Sequence, residues 1–192
     1  MDIVIAKFKE DVSWISRLSD HNVIVYNKDP EDKTWKNNRV NYGKDVETHL
    51  SYIIDHYDNL SDYTCFLQGN PFEHWSTTIE DINNFNYKDS FLPLGPVYER
   101  DQKWYVEECI NFCKKFKISF TQPFYYIGGM QIILSKEQIQ SNSKQFYKEV
   151  HSNIPKIIST DNSSANNSNI IWWLEYTWPT FFKLNKQIKK YL

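Results

Sequence analysis

In the first third of the chain, short apolar runs alternate with segments in which apolar residues recur at helical spacing. Strands are predicted at residues 3–6, 22–26 and 63–67, because each run carries no charge and is followed by polar or turn-forming residues. Helical spacing occupies residues 12–18 and 43–58 between them. This order predicts two successive strand–helix–strand units, the first a right-handed crossover, in an α/β fold.

Beyond the third predicted strand, apolar residues at helical spacing predict further helices at residues 77–85 and 103–116. Two prolines in the apolar run 91–97 exclude it from the centre of a sheet. Gly128 and Gly129 lie within an aromatic and aliphatic run, where paired glycines let the backbone approach something bulky, either a ligand or a neighbouring ring.

A polar segment of low complexity at residues 159–169 predicts a mobile loop. The most aromatic run of the chain, residues 170–182, follows it and contains one carboxylate, Glu175. If that carboxylate is buried among rings, a raised pKa would suit a general base or acid. The alternative is a packed helix with Glu175 turned to solvent.

Polar side chains collect immediately after the predicted strand at 63–67. In open α/β sheets ligands bind outside the carboxyl ends of the strands, so these residues are well placed to meet one. Polar residues after the first two strands are expected at the same edge. The alternative is that all of them only cap turns or face solvent. The candidates are Lys7, Glu10, Asp11, Asn27, Lys28, Asp29, Gln68, Gly69, Asn70, Glu73 and His74.

Gly43 and Lys44 stand at the start of the helix predicted at 43–58. A glycine, a lysine and the backbone donors of a helix start could hold a phosphate group, although ordinary helix initiation explains the same pattern.

The overall charge and composition exclude several classes of protein. A net charge of −2, with 22 basic and 24 acidic residues interspersed, gives no reason to expect nucleic acid or a membrane surface as partner.

Aromatic residues make up 17% of the chain and suit sugar faces or nucleobases as well as a core. The chain contains no run of 18 apolar residues, and no basic leader precedes the first strand. A soluble, cytoplasmic protein without a membrane span is therefore expected. The three cysteines are expected to be reduced and structural.

Five motifs resemble, in order, those of DUF3431, a family of uncharacterised domains found in bacteria, fungi and large viruses. The resemblance spans almost the whole chain. The motifs are Ala6-Lys7-Phe8-Lys9-Glu10-Asp11-Val12-Ser13-Trp14, Val25-Tyr26-Asn27-Lys28, the helix from Gly43 to Leu60, Phe66-Leu67-Gln68-Gly69-Asn70-Pro71, and Leu174-Glu175-Tyr176-Thr177-Trp178-Pro179.

This pattern is similar to that of compact GT-A glycosyltransferases, including a virus-encoded domain that decorates capsid glycoproteins. If the protein is viral, its expected location is the host cytoplasm. The resemblance implies one GT-A-like, Rossmann-like domain over residues 1–192, with a mixed, mostly parallel sheet flanked by helices. It also implies a hexosyl- or pentosyltransferase that moves a sugar from a nucleoside diphosphate, expected to be UDP, to a hydroxyl of a glycan or glycoconjugate.

The resemblance gives roles to the candidate residues. The nucleotide sugar would meet residues of the strand ends, the helix start and the diglycine. Residues 68–74 would occupy the place of the Asp-x-Asp metal motif, which this chain lacks. Either Glu73 or His74 contacts Mn²⁺ or Mg²⁺, or lysines and backbone donors alone neutralise the diphosphate. The donor-binding set is Lys7, Glu10, Asn27, Lys44, Gln68, Gly69, Asn70, Gly128 and Gly129.

Glu175 is expected to be the base that deprotonates the acceptor, because the family-like Glu-x-x-Trp-Pro motif would hold it in an aromatic and partly dry wall. Trp172, Trp173 and Trp178 are expected to stack on the acceptor, and the loop at 159–169 is expected to close over the donor.

Two other functions stay open. A carbohydrate- or nucleotide-binding protein on a degenerate transferase fold would keep the aromatic residues without turnover. A metal-dependent hydrolase would use Glu73, His74 and Asp45, whose spacing is not diagnostic.

Overall fold

Six strands form the main sheet in the computed structural model, which describes residues 1–100, 103–155 and 169–192. The strands are β1 (Asp2–Lys7), β2 (Asn22–Asn27), β3 (Asn37–Asn38), β4 (Tyr63–Gln68), β5 (Phe91–Pro93) and, further along the chain, β8 (Ile132–Ser135). The predicted strands at residues 3–6, 22–26 and 63–67 are confirmed as β1, β2 and β4, whereas the two-residue β3 was not predicted. A separate antiparallel pair consists of β6 (Val97–Arg100) and β7 (Phe124–Ile127).

The order of strands in the main sheet is β3-β2-β1-β4-β8-β5. β1 pairs in parallel with both β2 and β4, so that Ala6 lies between Tyr26 and Gln68. β8 is antiparallel to β4 and to β5. The predicted mixed, mostly parallel sheet is thus confirmed, and the proline-containing β5 lies at its edge, where a missing backbone donor is tolerated.

Seven α-helical segments accompany the strands in the part of the chain that the structure describes. They are α1 (Lys44–His56), α2 (Thr78–Asn83), α3 (Lys103–Lys115), α4 (Lys136–Ile139), α5 (Lys144–Ser152), α6 (Asn169–Phe181) and α7 (Asn185–Ile188). None of the helices described is long and apolar enough to cross a membrane.

Apolar side chains cover both faces of the sheet. Val4 and Phe66 point to one face, which α1 covers with its apolar stripe. Ile5 and Leu67 point to the other face and pack with α2. Burial on both sides explains why β1 and β4 are continuous apolar runs without alternation.

One expectation about local structure has a different outcome, and a second is not tested. The helical spacing at 12–18 forms a short 3₁₀ helix, Ser13–Leu18, which still carries the chain from β1 to the parallel β2. The predicted mobile loop at 159–169 lies outside the described residues, except for Asn169, the first residue of α6.

Candidate functional site

A cleft of about 370 Å³ lies at the carboxyl ends of β1 and β4. The chain leaves β1 towards β2 on one side, while β4 pairs with the other side of β1, so the cleft stands where the strand order reverses. It is lined by Ala6, Lys7, Phe8, Glu10, Lys28, Asn41, Lys44, Asp45, Gln68, Gly69, Asn70 and Glu73. The structure therefore brings together seven of the residues predicted to bind the donor or its metal ion: Lys7, Glu10, Lys44, Gln68, Gly69, Asn70 and Glu73.

Lys7 ties the loop after β1 to the loop after β2. Its ammonium group donates to Asp32 Oδ2 at 3.1 Å, to Asn27 Oδ1 at 3.3 Å and to the carbonyl of Phe8 at 3.2 Å. Bonds donated by Thr34 and by Lys7 lower the pKa of Asp32. Lys7 thus reaches the cleft wall with its donors engaged in internal contacts.

Asn27 is completely buried and does not line the cleft. Its amide nitrogen donates to the carbonyls of Asp32 at 2.7 Å and Asp29 at 3.1 Å, and its oxygen accepts from Lys7. The structure places Asn27 behind the wall, where it closes the loop after β2, and not against the expected nucleotide.

Lys28 is a buried cation beneath the cleft. Its Nζ lies 2.8 Å from Glu47 Oε2, donates to the carbonyl of Tyr42 at 2.9 Å and also donates to that of Lys44. Burial lowers the pKa of Lys28, and the neighbouring Glu47 acts in the opposite direction. Two of these three contacts hold the backbone on either side of Gly43.

Gly43 makes this turn possible. Its φ is 64°, and Lys44 also has a left-handed φ of 50°. A Cβ on Gly43 would lie 2.8 Å from Ile154 Cγ2 and 2.8 Å from Glu47 Cβ. The turn presents Lys44 and Asp45 to the cleft at the start of α1.

Glu47 neutralises the cations around this turn. Its Oε1 accepts from Ser51 Oγ at 2.6 Å and lies 3.3 Å from His151 Nε2 and 3.6 Å from Arg39. Burial raises the pKa of Glu47, but the bonds to His151 and Lys28 outweigh it and lower the pKa to about 2. Glu47 is therefore ionised throughout the neutral range.

The loop after β4 is held by three side chains from other elements. Trp14 Nε1 donates to the carbonyl of Gly69 at 3.0 Å, and the buried Gln131 donates to that of Pro71 at 3.1 Å. Gln68 donates from its side chain to Asp45 Oδ2 at 2.7 Å. These bonds fix the loop against α1 and across the cleft.

Glu10, which follows β1, and Gly69, which follows β4, meet in one wall of the cleft. Glu10 Oε2 accepts from the backbone nitrogen of Phe8 at 2.6 Å. A Cβ on Gly69 would lie 2.6 Å from the same oxygen, so the absence of a side chain at 69 leaves room for the carboxylate.

Glu73 and His74 lie on different sides of the loop. Glu73 is exposed at the cleft and accepts from Asn70 at 3.0 Å. The ring of His74 rests on the diglycine, since a Cβ on Gly129 would lie 2.4 Å from its Cδ2. Gly128 and Gly129 therefore accommodate a neighbouring ring, and neither they nor His74 lines the cleft.

The fit to a metal ion rests on oxygen ligands. Glu73 offers a carboxylate at the cleft, which suits Mg²⁺ or Mn²⁺ bound partly through phosphate oxygens. His74, the other expected ligand, does not face the cleft. Among the described residues, no group of three or more His, Cys, Asp or Glu side chains could hold a metal ion by itself.

The three predicted tryptophans have different environments. Trp172 is 40% exposed, and its ring centroid lies 5.9 Å from Lys44 Nζ, at the rim of the cleft. Trp173 is half-buried against Phe112. Trp178 is completely buried against Phe182, so it presents no ring face to an acceptor and its position corrects that expectation.

Glu175 lies on α6, one turn after Trp172 and on the same side of the helix. It is partly buried and does not line the cleft. The prediction that Glu175 deprotonates the acceptor therefore concerns a residue outside the lining of the cleft.

Sequence reasoning gave no site role to Asn41 and read Glu47 only as a favourable charge near a helix start. Both are buried, and Asn41 lines the cleft. In sequence, an acidic residue such as Glu47 at the fourth position of a helix looks like an ordinary favourable charge at the helix start, and its burial is not visible. Its partner Lys28 comes from a strand end 19 residues earlier, so no local pattern joins them.

The comparison with protein families gives a match over part of the chain. Residues 3–90 match the model of a family described as "Protein of unknown function (DUF3431)". Every residue that lines the cleft lies within this range. No curated protein and no solved structure matches the chain. The predicted resemblance to DUF3431 is thus confirmed for residues 3–90, which contain the first four motifs, whereas the fifth motif, residues 174–179, lies outside the match.

Proposed function

We propose that this chain is a glycosyltransferase that moves a sugar from a nucleoside-diphosphate sugar, with UDP as the expected nucleotide, to a hydroxyl of a glycan acceptor. The observation that carries the proposal is the polar cleft at the strand-order reversal, with an exposed tryptophan at its rim. The finer identification as a GT-A-like fold is part of the same proposal, and the mixed, mostly parallel sheet supports it.

The chemistry of the lining suits a ligand rich in hydroxyl groups. Carboxylates accept hydrogen bonds from sugar hydroxyls, and side-chain amides both donate and accept them. Glu10, Gln68 and Asn70 offer such groups within one cleft. The face of Trp172 beside Lys44 suits a sugar ring or a base.

The balance of charge in the lining bears on the diphosphate. Three lysines line the cleft, and the ammonium groups of Lys7 and Lys28 pair with Asp32 and Glu47. Three carboxylates also line it, namely Glu10, Asp45 and Glu73. A diphosphate would be repelled by these acids, so we expect donor binding to require Mn²⁺ or Mg²⁺, with Glu73 as an oxygen ligand. Such an ion, when bound, supplies positive charge for the departing diphosphate.

The proposed transfer joins the acceptor oxygen to the anomeric carbon of the donor sugar. The bond between that carbon and the phosphate oxygen breaks, and the nucleoside diphosphate leaves with the bonding electrons. The acceptor hydroxyl gives its proton to Glu175, the base that follows Trp172 by one turn of α6. The cleft side chains hold the donor so that its anomeric carbon faces this rim.

A non-catalytic binding protein remains the second candidate, because the acids of the cleft are already engaged. Both oxygens of Asp45 accept internal hydrogen bonds, from Val46 and from Gln68, and Glu10 accepts one from Phe8. Engaged carboxylates suit a rigid recognition site as well as a reactive one.

Binding and turnover measured together separate these functions. The melting temperature would be recorded with UDP, GDP, CDP and ADP, each with Mn²⁺ and with EDTA, because a ligand of the native state raises it. UDP release from UDP-sugars would then be measured with and without oligosaccharide acceptors. Acceptor-dependent UDP release supports the transferase, and nucleotide binding without release supports the binding protein. Absence of any nucleotide effect overturns the transferase and a nucleotide-binding protein, and leaves a carbohydrate-binding protein.

A further inference from the structure

Four aromatic rings lead away from the rim of the cleft. They belong to Trp172, Tyr176, Tyr126 and Tyr98, and we call them the aromatic track. The ring centroids of Trp172 and Tyr176 are 6.2 Å apart, those of Tyr176 and Tyr126 are 5.3 Å apart, and those of Tyr126 and Tyr98 are 4.8 Å apart. The track begins beside Lys44, a residue of the cleft wall.

Two elements of regular structure build the track. Trp172 and Tyr176 stand four residues apart on α6 and so share one face of the helix. Tyr98 and Tyr126 are directly paired across β6 and β7 and so share one face of the ribbon. α6 packs on β7, and this contact joins the two halves.

The two end rings of the track are exposed, and its two middle rings are less exposed. Trp172 is 40% exposed and Tyr98 is 44% exposed, whereas Tyr176 is 8% exposed. The side chains of the track are rings with an N–H or O–H group, which combine a flat apolar face with hydrogen-bonding capacity at the edge. Trp172 and Tyr98 thus offer two exposed rings at the two ends of a continuous series of ring contacts.

We propose that the aromatic track binds the acceptor, and that the acceptor is an oligosaccharide of several units, not a single sugar. The inference rests on the proposed function and names its acceptor. Sugar rings have apolar C–H faces that stack on aromatic rings and hydroxyl edges that hydrogen-bond. The unit next to the cleft lies on Trp172, and later units extend along the track, so that only a longer chain reaches Tyr98.

Length dependence of binding tests this assignment. Mono-, di- and tetrasaccharides of β-1,4-linked N-acetylglucosamine, α-1,4-linked glucose and α-linked mannose would be titrated into the full chain by calorimetry. In at least one series, affinity is expected to rise about tenfold or more from di- to tetrasaccharide. In Tyr98→Ala the tetrasaccharide should bind no more tightly than the disaccharide, and in Trp172→Ala every length should bind more weakly.

Tyr87→Ala is the matched control. Tyr87 is 51% exposed and packs edge-on against Tyr63 and Phe85, away from the track, so its loss should leave the length dependence as in the wild type. Melting temperatures identify any variant that is not folded, and Tyr98→Phe, which keeps the ring, should retain tetrasaccharide binding.

Failure of the track and failure of the proposed function give different results. Absence of length dependence in every series, or its survival in folded Tyr98→Ala, overturns the track. UDP binding is measured on the same samples. If UDP does not bind while Tyr98→Ala removes the length dependence, the donor site is wrong and the track stands as a carbohydrate-binding surface.

Discussion

At the scale of single residues, the contact between Gly69 and Glu10 sets the shape of one cleft wall. In Gly69→Ala the new methyl group must displace Glu10 Oε2, which would lie 2.6 Å away. Because this oxygen is the end of a flexible side chain, we expect a melting temperature close to that of the wild type and UDP binding weakened roughly tenfold.

The double variant Gly69→Ala/Glu10→Ala is the control for this prediction. With the carboxylate removed, the methyl group at 69 should add little to the loss caused by Glu10→Ala alone. Additive losses of UDP affinity would show that the alanine acts by another route than displacement of Glu10.

Two carboxylates have different expected roles in the transfer. Glu175→Gln keeps the shape of the side chain but removes the base, so turnover should fall by roughly 10²-fold or more with UDP affinity nearly unchanged. Glu73→Gln should weaken Mn²⁺-dependent UDP binding, and a higher Mn²⁺ concentration should restore part of it.

Steady-state rates and UDP titrations of both variants check this contrast. Full turnover in folded Glu175→Gln would exclude it as the base and turn attention to the carboxylates of the cleft, of which Asp45 is the best fixed.

At the scale of elements, the start of α1 depends on the buried pair of Lys28 and Glu47. The pKa of Glu47 in the folded chain is about 2, below its ordinary value of 4.5. Its contribution to stability is therefore complete above pH 4.5 and is lost as the pH falls towards 2. Glu47→Gln should unfold at a lower temperature at pH 7, because Lys28 loses its counter-charge.

Melting temperatures measured from pH 7 to pH 2 check this prediction. The difference between the wild type and Glu47→Gln should shrink as the pH falls from 4.5 towards 2. Asp55→Asn is the matched control, since Asp55 also pairs with Arg39 but is exposed, and its loss should have little effect at any pH. A constant difference between wild type and Glu47→Gln would contradict the assigned role of the carboxylate.

The elements themselves follow from local patterns, but the roles of several residues do not. Apolar periodicity identified β1, α1 and β4, and Gly43 marked the start of α1. The same patterns cannot tell which face of an aromatic helix is buried, and so Trp178 was expected at the surface. Likewise, the contact of His74 with Gly129 joins residues far apart in sequence, and only the tertiary fold decides whether a diglycine meets a ligand or a ring.

At the scale of the whole molecule, the cleft combines cations and acids in equal number, three of each. We expect the increase in melting temperature caused by UDP to be several degrees with Mn²⁺ and to disappear with EDTA. Titration of Mn²⁺ at fixed UDP checks this, with Mn²⁺ alone as the control. An equal increase in EDTA would show that lysines and backbone donors suffice for the diphosphate.

The central claim is that the nucleotide binds at the carboxyl ends of β1 and β4. A crystal structure of the chain with UDP and Mn²⁺ tests it most directly. We predict density for the diphosphate between Lys44 and the loop from Gln68 to Glu73, with the base or ribose near Glu10. Nucleotide density at the opposite edge of the sheet, or away from this cleft altogether, would contradict the account.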